Sequence, residues 1–94
     1  MTPEWNLQKK IIDFLEKQHD CYCLKLIKTN KNWIADLLVL VWNWKCFFIE
    51  VKTKTGKASE LQLFRKKEIE NLWYTNLIVY WYEDFIEKFM LLTM

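Results

Sequence analysis

The sequence predicts one α/β domain, in which helices flank a mixed β-sheet and the elements follow the order αβββαβ, with a short terminal helix. Two observations lead to this fold class. Some segments have apolar residues at helical spacing, and four short hydrophobic runs have the length of strands. At 52% hydrophobic residues and a single glycine, the chain is also too apolar to be disordered. Its 94 residues suit one domain, which we expect to span residues 1–94.

The first helix is predicted from Thr2 to about Gln18. Thr2 is a favourable N-cap, Pro3 suits the first helical position, and Glu4 places negative charge at the positive end of the helix. The apolar stripe consists of Leu7, Ile11, Phe14 and Leu15. Glu4 lies one heptad before Ile11 and therefore on nearly the same side, so we expect its side chain to point toward the core.

Four strands are predicted from hydrophobic runs that polar turns separate. They cover, in order, residues 21–27, 33–41, 45–53 and 76–82. The second run is apolar on both faces, which predicts a central strand. In the third run the side chains alternate, so that Phe48, Glu50 and Lys52 share one face.

Two further helices complete the pattern. A turn at residues 55–57 holds the only glycine. Ser59 and Gln62 then fit a capping box, which predicts a helix running to about Trp73. The last stretch, 83–92, has the spacing of a short terminal helix.

Composition restricts the classes of function. No apolar run reaches the ~18 residues of a membrane span, and no signal peptide is visible, so we expect no membrane contact. Three cysteines, an odd number, indicate reduced thiols in the cytoplasm, or in the host cytoplasm if a phage encodes the chain. The net charge of +2 does not by itself indicate nucleic-acid binding, while 17% aromatic residues predict a self-association or ligand surface.

Two acids and a lysine stand in unusually apolar surroundings. Asp36 lies in an aliphatic run, and Glu50 and Lys52 follow a second hydrophobic run. Buried charges are costly unless they are paired or bind a metal. Strands two and three are close enough in sequence to form a hairpin, and if Asn43 is its centre, Asp36 faces Glu50. A two-residue loop at Asn43-Trp44 would instead separate the acids, so a metal site requires an odd-numbered loop or a bulge.

Facing carboxylates repel one another, and one stays protonated unless a cation lies between them. Mg²⁺ or Mn²⁺ suits such oxygen ligands, and either ion can activate water and stabilise charge on a phosphate. Lys52 could orient that water, and the Val51 carbonyl is a further candidate ligand. The alternative is that Asp36 and Glu50 only form structural ion pairs with lysines.

The residues of this region also resemble a known family. Ala35 to Leu40, together with Glu50-Val51-Lys52-Thr53-Lys54-Thr55-Gly56 and the later Ser59 and Gln62, resembles the VRR-NUC branch of the PD-(D/E)XK nucleases. An Asp and a Glu-x-Lys alone arise easily by chance, and the continuation makes the match specific. The chain departs from the family at Trp33-Ile34-Ala35, where a Gly-x-Pro is usual.

The resemblance implies a restriction-endonuclease-like core and a DNA endonuclease that depends on Mg²⁺ or Mn²⁺. Position by position, Asp36 and Glu50 match the metal ligands and Lys52 the catalytic lysine. Glu4 matches a first-helix acid that reaches the metal site, often through water, and Gln62 a glutamine that helps to hold the site. Stand-alone members resemble homodimeric resolvases of four-way DNA junctions.

Basic residues after the acids are predicted to hold DNA phosphates without reading bases, which favours structure-specific cleavage of branched or duplex DNA. They are Lys54, Lys57, Arg65 and Lys66.

Simpler interpretations stay open. Glu4 could only interact with its helix dipole, and Gln62 could only close the capping box. The cysteines near His19 are expected to be buried thiols rather than zinc ligands. Trp42 and Trp44 could pack, form a dimer interface or stack on bases. The chain as a whole could be a non-catalytic nucleic-acid-binding module with a nuclease-like fold, or an interaction protein with an aromatic surface.

Overall fold

The computed structural model describes residues 2–52 and 57–93. The elements follow the order αβββαβα, which confirms the predicted α/β class. The helices and strands are α1 (Pro3–Gln18), β1 (Tyr22–Lys25), β2 (Leu37–Val41), β3 (Lys45–Val51), α2 (Glu60–Asn71), β4 (Thr75–Val79) and α3 (Tyr82–Thr93).

The sheet has the strand order β1-β2-β3-β4. The first three strands pair antiparallel, while β3 and β4 pair parallel, so the sheet is mixed as predicted. A parallel pair needs a crossover connection, and α2 lies in that connection. β2 lies between two neighbours, which confirms the central position predicted from its apolar residues.

The hairpin between β2 and β3 has the register needed for Asp36 and Glu50 to lie on the same side. Leu38 pairs with Phe48, and Val41 pairs with Lys45 across a three-residue loop centred on Asn43. An odd-numbered loop is therefore present. The pair formed by Leu37 and Ile49 is the last of the ladder, so the residues next in register are the two acids.

Several strands are shorter than predicted. β2 begins at Leu37 rather than at Trp33, because Trp33 has a φ of 65°, which lies in the left-handed region and cannot continue a strand. β4 ends at Val79, and Tyr82 opens α3. The Asp84 carboxylate accepts a hydrogen bond from the Tyr80 backbone N–H at 3.0 Å, which turns the chain into the helix.

The core lies on the face of the sheet that α1 and α3 cover. Its fully buried side chains include Ile11, Leu15, Leu37, Val39, Ile49, Val51, Val79 and Phe85. Alternation along β3 sends Ile49 and Val51 into this core and Glu50 to the opposite face, where α2 supplies Gln62. No helix in the described ranges is long and apolar enough to cross a membrane.

Candidate functional site

Asp36 and Glu50 lie together where β2 begins and β3 ends. The Asp36 Oδ2 atom accepts a hydrogen bond from the backbone N–H of Val51 at 2.8 Å. This bond holds the Asp36 carboxylate against the end of β3, one residue beyond Glu50. The Glu50 residue is only 4% exposed, so its carboxylate is almost fully removed from water.

Lys52 and Gln62 both approach the same oxygen of Glu50. The Lys52 Nζ atom lies 3.8 Å from Oε2, and the Gln62 Nε2 atom donates a hydrogen bond to it at 3.1 Å. Glu50 also shares a side-chain hydrogen bond with Asp36, so the two carboxyl groups are in direct contact.

Gln62 has two roles in the structure, and the sequence left these as alternatives. Its Oε1 atom accepts a hydrogen bond from the Ser59 backbone N–H at 2.9 Å, and the Ser59 hydroxyl accepts one from the Gln62 N–H at 3.1 Å. The predicted capping box is therefore formed. Because its Nε2 atom simultaneously binds Glu50, the start of α2 is coupled directly to the acid pair.

The electrostatics of the two acids favour their protonated forms in the absence of a cation. Burial, followed by the charge of Asp36, raises the pKa of Glu50 to about 8, although the charge of Lys52 opposes the rise. Burial also raises the pKa of Asp36, against the lowering effect of the Val51 hydrogen bond. The charge of Glu4, in the first turn of α1, raises the pKa of both acids, so Glu4 lies within electrostatic range of the pair.

The carboxylate oxygens of Asp36 and Glu50 are suitable ligands for a hard divalent cation. Two carboxylates with raised pKa values gain most from a positive charge placed between them, and oxygen ligands suit Mg²⁺ and Mn²⁺. Among the described residues, no three acids, histidines or cysteines cluster closely enough to hold an ion by themselves. The remaining ligands of a cation here would be backbone carbonyls and water, which is usual for Mg²⁺.

The predicted phosphate-binding residues differ in their surroundings. Lys57 is exposed, and Lys54 lies outside the described residues. Arg65 is held within the protein, because its Nε donates to the Asn32 carbonyl at 2.9 Å and its Nη1 pairs with Glu68 at 2.7 Å. Lys66 pairs with Glu70 on the same helix at 2.5 Å.

Sequence reasoning missed the contact between Arg65 and Asn32. This contact joins α2 to the loop between β1 and β2, and its partners are far apart in the sequence. No local pattern signals such a contact, since a backbone carbonyl accepts hydrogen bonds whatever its side chain.

The cysteines do not present thiolates to a metal. Cys21 is buried and Cys23 is half-buried, and both are free thiols, as is Cys46. Burial, followed by the charge of Glu16, raises the pKa of Cys23 to about 12, and burial also raises the pKa of Cys21. A zinc ligand must be deprotonated, so these surroundings oppose a zinc site on β1.

A cavity of about 650 Å³ lies at the other end of the sheet, around the hairpin loop. Its lining includes Trp42, Trp44 and Trp73, and none of the predicted site residues. The acid pair therefore lies outside this cavity.

Two solved structures are similar to this chain. One, described as a VRR_NUC domain, is 23% identical over 88% of this chain and 89% of its own, with a TM-score of 0.80. The other, a VRR_NUC domain protein, is 14% identical over 96% of this chain and 87% of its own, with a TM-score of 0.75. No family model and no curated protein matches the chain. The protein therefore has the fold of VRR_NUC domains, which supports the resemblance found in its sequence.

Proposed function

We propose that this protein is a metal-dependent endonuclease that hydrolyses phosphodiester bonds in DNA. The observation that carries the proposal is the buried Glu50 carboxylate, which lies beside Asp36 and is held by Lys52 and Gln62. Ionisation of these two buried acids is unfavourable without a cation, and a bound cation would compensate their negative charge. The similarity in fold to VRR_NUC domain structures supports the same conclusion.

In this proposal Asp36 and Glu50 hold Mg²⁺ or Mn²⁺, with the Val51 carbonyl and Glu4, the latter through water, as further ligands. When bound, the ion supplies a water of lowered pKa and a positive charge beside the phosphate. The Val51 N–H orients the Asp36 carboxylate, as Gln62 orients that of Glu50.

Lys52 is the proposed catalytic lysine. Its ammonium group lies 3.8 Å from Glu50 and is half-buried at the edge of the site. From there it can donate a hydrogen bond to the attacking water or to a phosphate oxygen, on which negative charge develops in the transition state.

The proposed substrate is branched or duplex DNA, including four-way junctions. Lys54, Lys57, Arg65 and Lys66 would contact its phosphates, and such contacts position DNA without reading bases. Arg65 and Lys66 already pair with acids of α2, so they would share their donors between those acids and DNA. Lys57 is exposed just before α2 and is free to approach a phosphate.

A nicking assay tests the proposed activity. Supercoiled plasmid and a labelled four-way junction would be incubated with Mg²⁺, Mn²⁺ or EDTA, using the unaltered protein and the Lys52→Ala variant. We expect metal-dependent cutting that falls by at least ~10²-fold in the variant, since a lost donor to transition-state charge typically costs this much.

Lys17→Ala is the matched control, because Lys17 is an exposed lysine in the last turn of α1, outside the site and the hairpin surface, and should be dispensable for cutting. Absence of cutting by the unaltered protein, with DNA binding intact, would contradict the proposal and favour a non-catalytic binding module. Equal cutting of the plasmid and the junction would contradict only the proposed preference for junctions and would leave the nuclease activity standing.

The aromatic surface around the hairpin loop supports a homodimer. Trp42, Trp44 and Trp73 are 84%, 100% and 96% exposed and line one cavity. At ~150–250 Å² for each side chain, these three rings approach the ~800 Å² that each partner contributes to a standard interface. Because β3 places Glu50 ~20 Å from this surface, the two sites of a dimer would lie well apart, each able to engage its own duplex arm.

Light scattering tests the homodimer. We expect the mass of two chains at micromolar concentration, and the mass of one chain for Trp73→Ser, whose indole is exposed in the monomer and costs little to remove from it. A single-chain mass at every concentration of the unaltered protein would contradict this assembly.

A further inference from the structure

The loop between β1 and β2 presents a tryptophan beside the acid pair. Trp33 is 58% exposed, and its backbone φ of 65° lies in the left-handed region. A bulky residue is uncommon in this region of backbone conformation. Asp36 follows only three residues later, so the Cα atoms of the two residues lie at most ~11 Å apart.

Hydrogen bonds hold this loop in place. The Leu26 N–H donates to the Asp36 carbonyl at 2.8 Å and closes the base of the loop. Within it, the Thr29 hydroxyl donates to the Lys31 carbonyl at 2.8 Å and accepts from the Lys31 N–H at 3.2 Å. The indole of Trp33 therefore projects from a structured loop.

Helix α2 connects the loop to the site. Arg65 donates to the Asn32 carbonyl at 2.9 Å and is itself fixed by Glu68, while Gln62, one turn earlier on the helix, holds Glu50. The residue next to Trp33 and the buried acid are thus anchored to the same helix. The backbone position of Trp33 relative to the site is consequently set by the fold.

An exposed indole beside a phosphodiester site suits an unpaired base. Paired bases in a duplex are covered by their neighbours, whereas an unpaired base offers its face to an aromatic side chain. Lys28 and Lys31, both exposed in the same loop, add the positive charge that accompanies stacking residues in single-strand binding. The Cα separation of at most ~11 Å corresponds to about three nucleotides of a stacked strand at ~3.4 Å each, which is the scale on which the indole can reach a base near a phosphate at Asp36.

We propose that Trp33 stacks on an unpaired base within a few nucleotides of the scissile phosphate, so that the preferred substrate carries a single-stranded segment near the cut, as in a forked DNA. This inference rests on the proposed nuclease function and adds the class of substrate. Trp33 acts as a specificity-determining residue, because it selects unpaired nucleotides without taking part in the chemistry.

Binding of two labelled DNAs tests this role. A fluorescein-labelled fork and a duplex of the same sequence would be titrated with protein in EDTA, where no cutting occurs, and binding followed by anisotropy. Trp33→Leu should bind the fork about tenfold more weakly and the duplex within about twofold of the unaltered protein, since this loss lies within the range typical of one stacked base. Trp33→Phe, which keeps an aromatic face, should retain most of the fork affinity.

Trp44→Leu is the matched control. Trp44 has the same backbone φ of 65° and is 100% exposed, but it lies at the hairpin end of the sheet. The ratio of fork to duplex affinity should be unchanged in this variant, and using a ratio cancels any effect of altered assembly.

Loss of fork affinity in Trp33→Leu but not in Trp33→Phe would support stacking. An unchanged ratio, or an equal loss for fork and duplex, would overturn it. The nuclease proposal is judged separately, by metal-dependent cutting of either DNA by the unaltered protein. A protein that discriminates the fork through Trp33 yet cuts neither DNA would keep the stacking role and lose the proposed activity.

Discussion

Replacement of Glu50 by glutamine is expected to abolish DNA cleavage while leaving the fold intact. The amide keeps the size of the side chain, and its oxygen can still accept the hydrogen bond from Gln62. What is lost is one negative charge of the pair proposed to hold the metal, and we expect cleavage to fall by on the order of 10³-fold or more. DNA binding should remain measurable, because the phosphate contacts are proposed to come from basic residues elsewhere.

The same replacement should stabilise the metal-free protein near pH 8. Ionising Glu50 in its buried position is unfavourable, as its pKa of about 8 shows, and the amide carries no charge. The gain is on the order of 2–4 kcal/mol in the free energy of unfolding, measured by urea denaturation in EDTA.

Glu87→Gln on α3 is the control for this experiment, because Glu87 is an exposed acid outside the site. It should change neither cleavage nor stability appreciably. Full cleavage activity of Glu50→Gln would contradict the assignment of Glu50 as a metal ligand. A strong loss of stability would contradict the unfavourable ionisation inferred for it.

The second large effect is a fall in the stability of the metal-free protein as pH rises. Glu50 has a pKa of about 8 in the folded chain and an ordinary value of 4.5 when unfolded, so between these values the folded state binds more protons. The free energy of unfolding therefore decreases with pH, and the stabilising contribution present below about pH 4.5 is lost by about pH 8. The raised pKa of Asp36 acts in the same direction.

A divalent cation should reverse this trend. The proposed ion would bind the ionised acids of the folded chain, so added Mg²⁺ or Mn²⁺ should raise the melting temperature more at about pH 8 than at about pH 5.5. Calorimetry or thermal melts in EDTA and in each metal would measure both effects. Glu50→Gln should show a flatter dependence on pH and a smaller response to metal. Stability that rises with pH in EDTA, or an equal metal response at both pH values, would contradict this account.

Local features of the fold could be predicted from the sequence because they depend on residues close together along the chain. Thr2 accepts the hydrogen bond of the Trp5 N–H as expected of an N-cap, and Ser59 and Gln62 form the predicted capping box. The sequence reduced the hairpin register to two alternatives, because the period of a strand is two and one loop length determines every pair, and the structure has the one centred on Asn43.

The ends of the strands were less predictable, because they depend on backbone conformations that composition does not indicate. Trp33 belongs to an apolar run, yet its left-handed backbone ends the run before β2. Tyr82 continues a β-prone stretch, yet the Asp84 carboxylate diverts the chain into α3.

By itself, the sequence determined which residues are candidates for the site and that an odd-numbered hairpin loop would place Asp36 opposite Glu50; the structure decided that the loop has three residues. Only the tertiary structure decided how buried Glu50 is, that Gln62 spans the helix cap and the acid, and that Arg65 ties α2 to the loop of Trp33. The physical reason is that periodicity and register act over a few residues, whereas desolvation and cross-element hydrogen bonds arise when distant segments pack together.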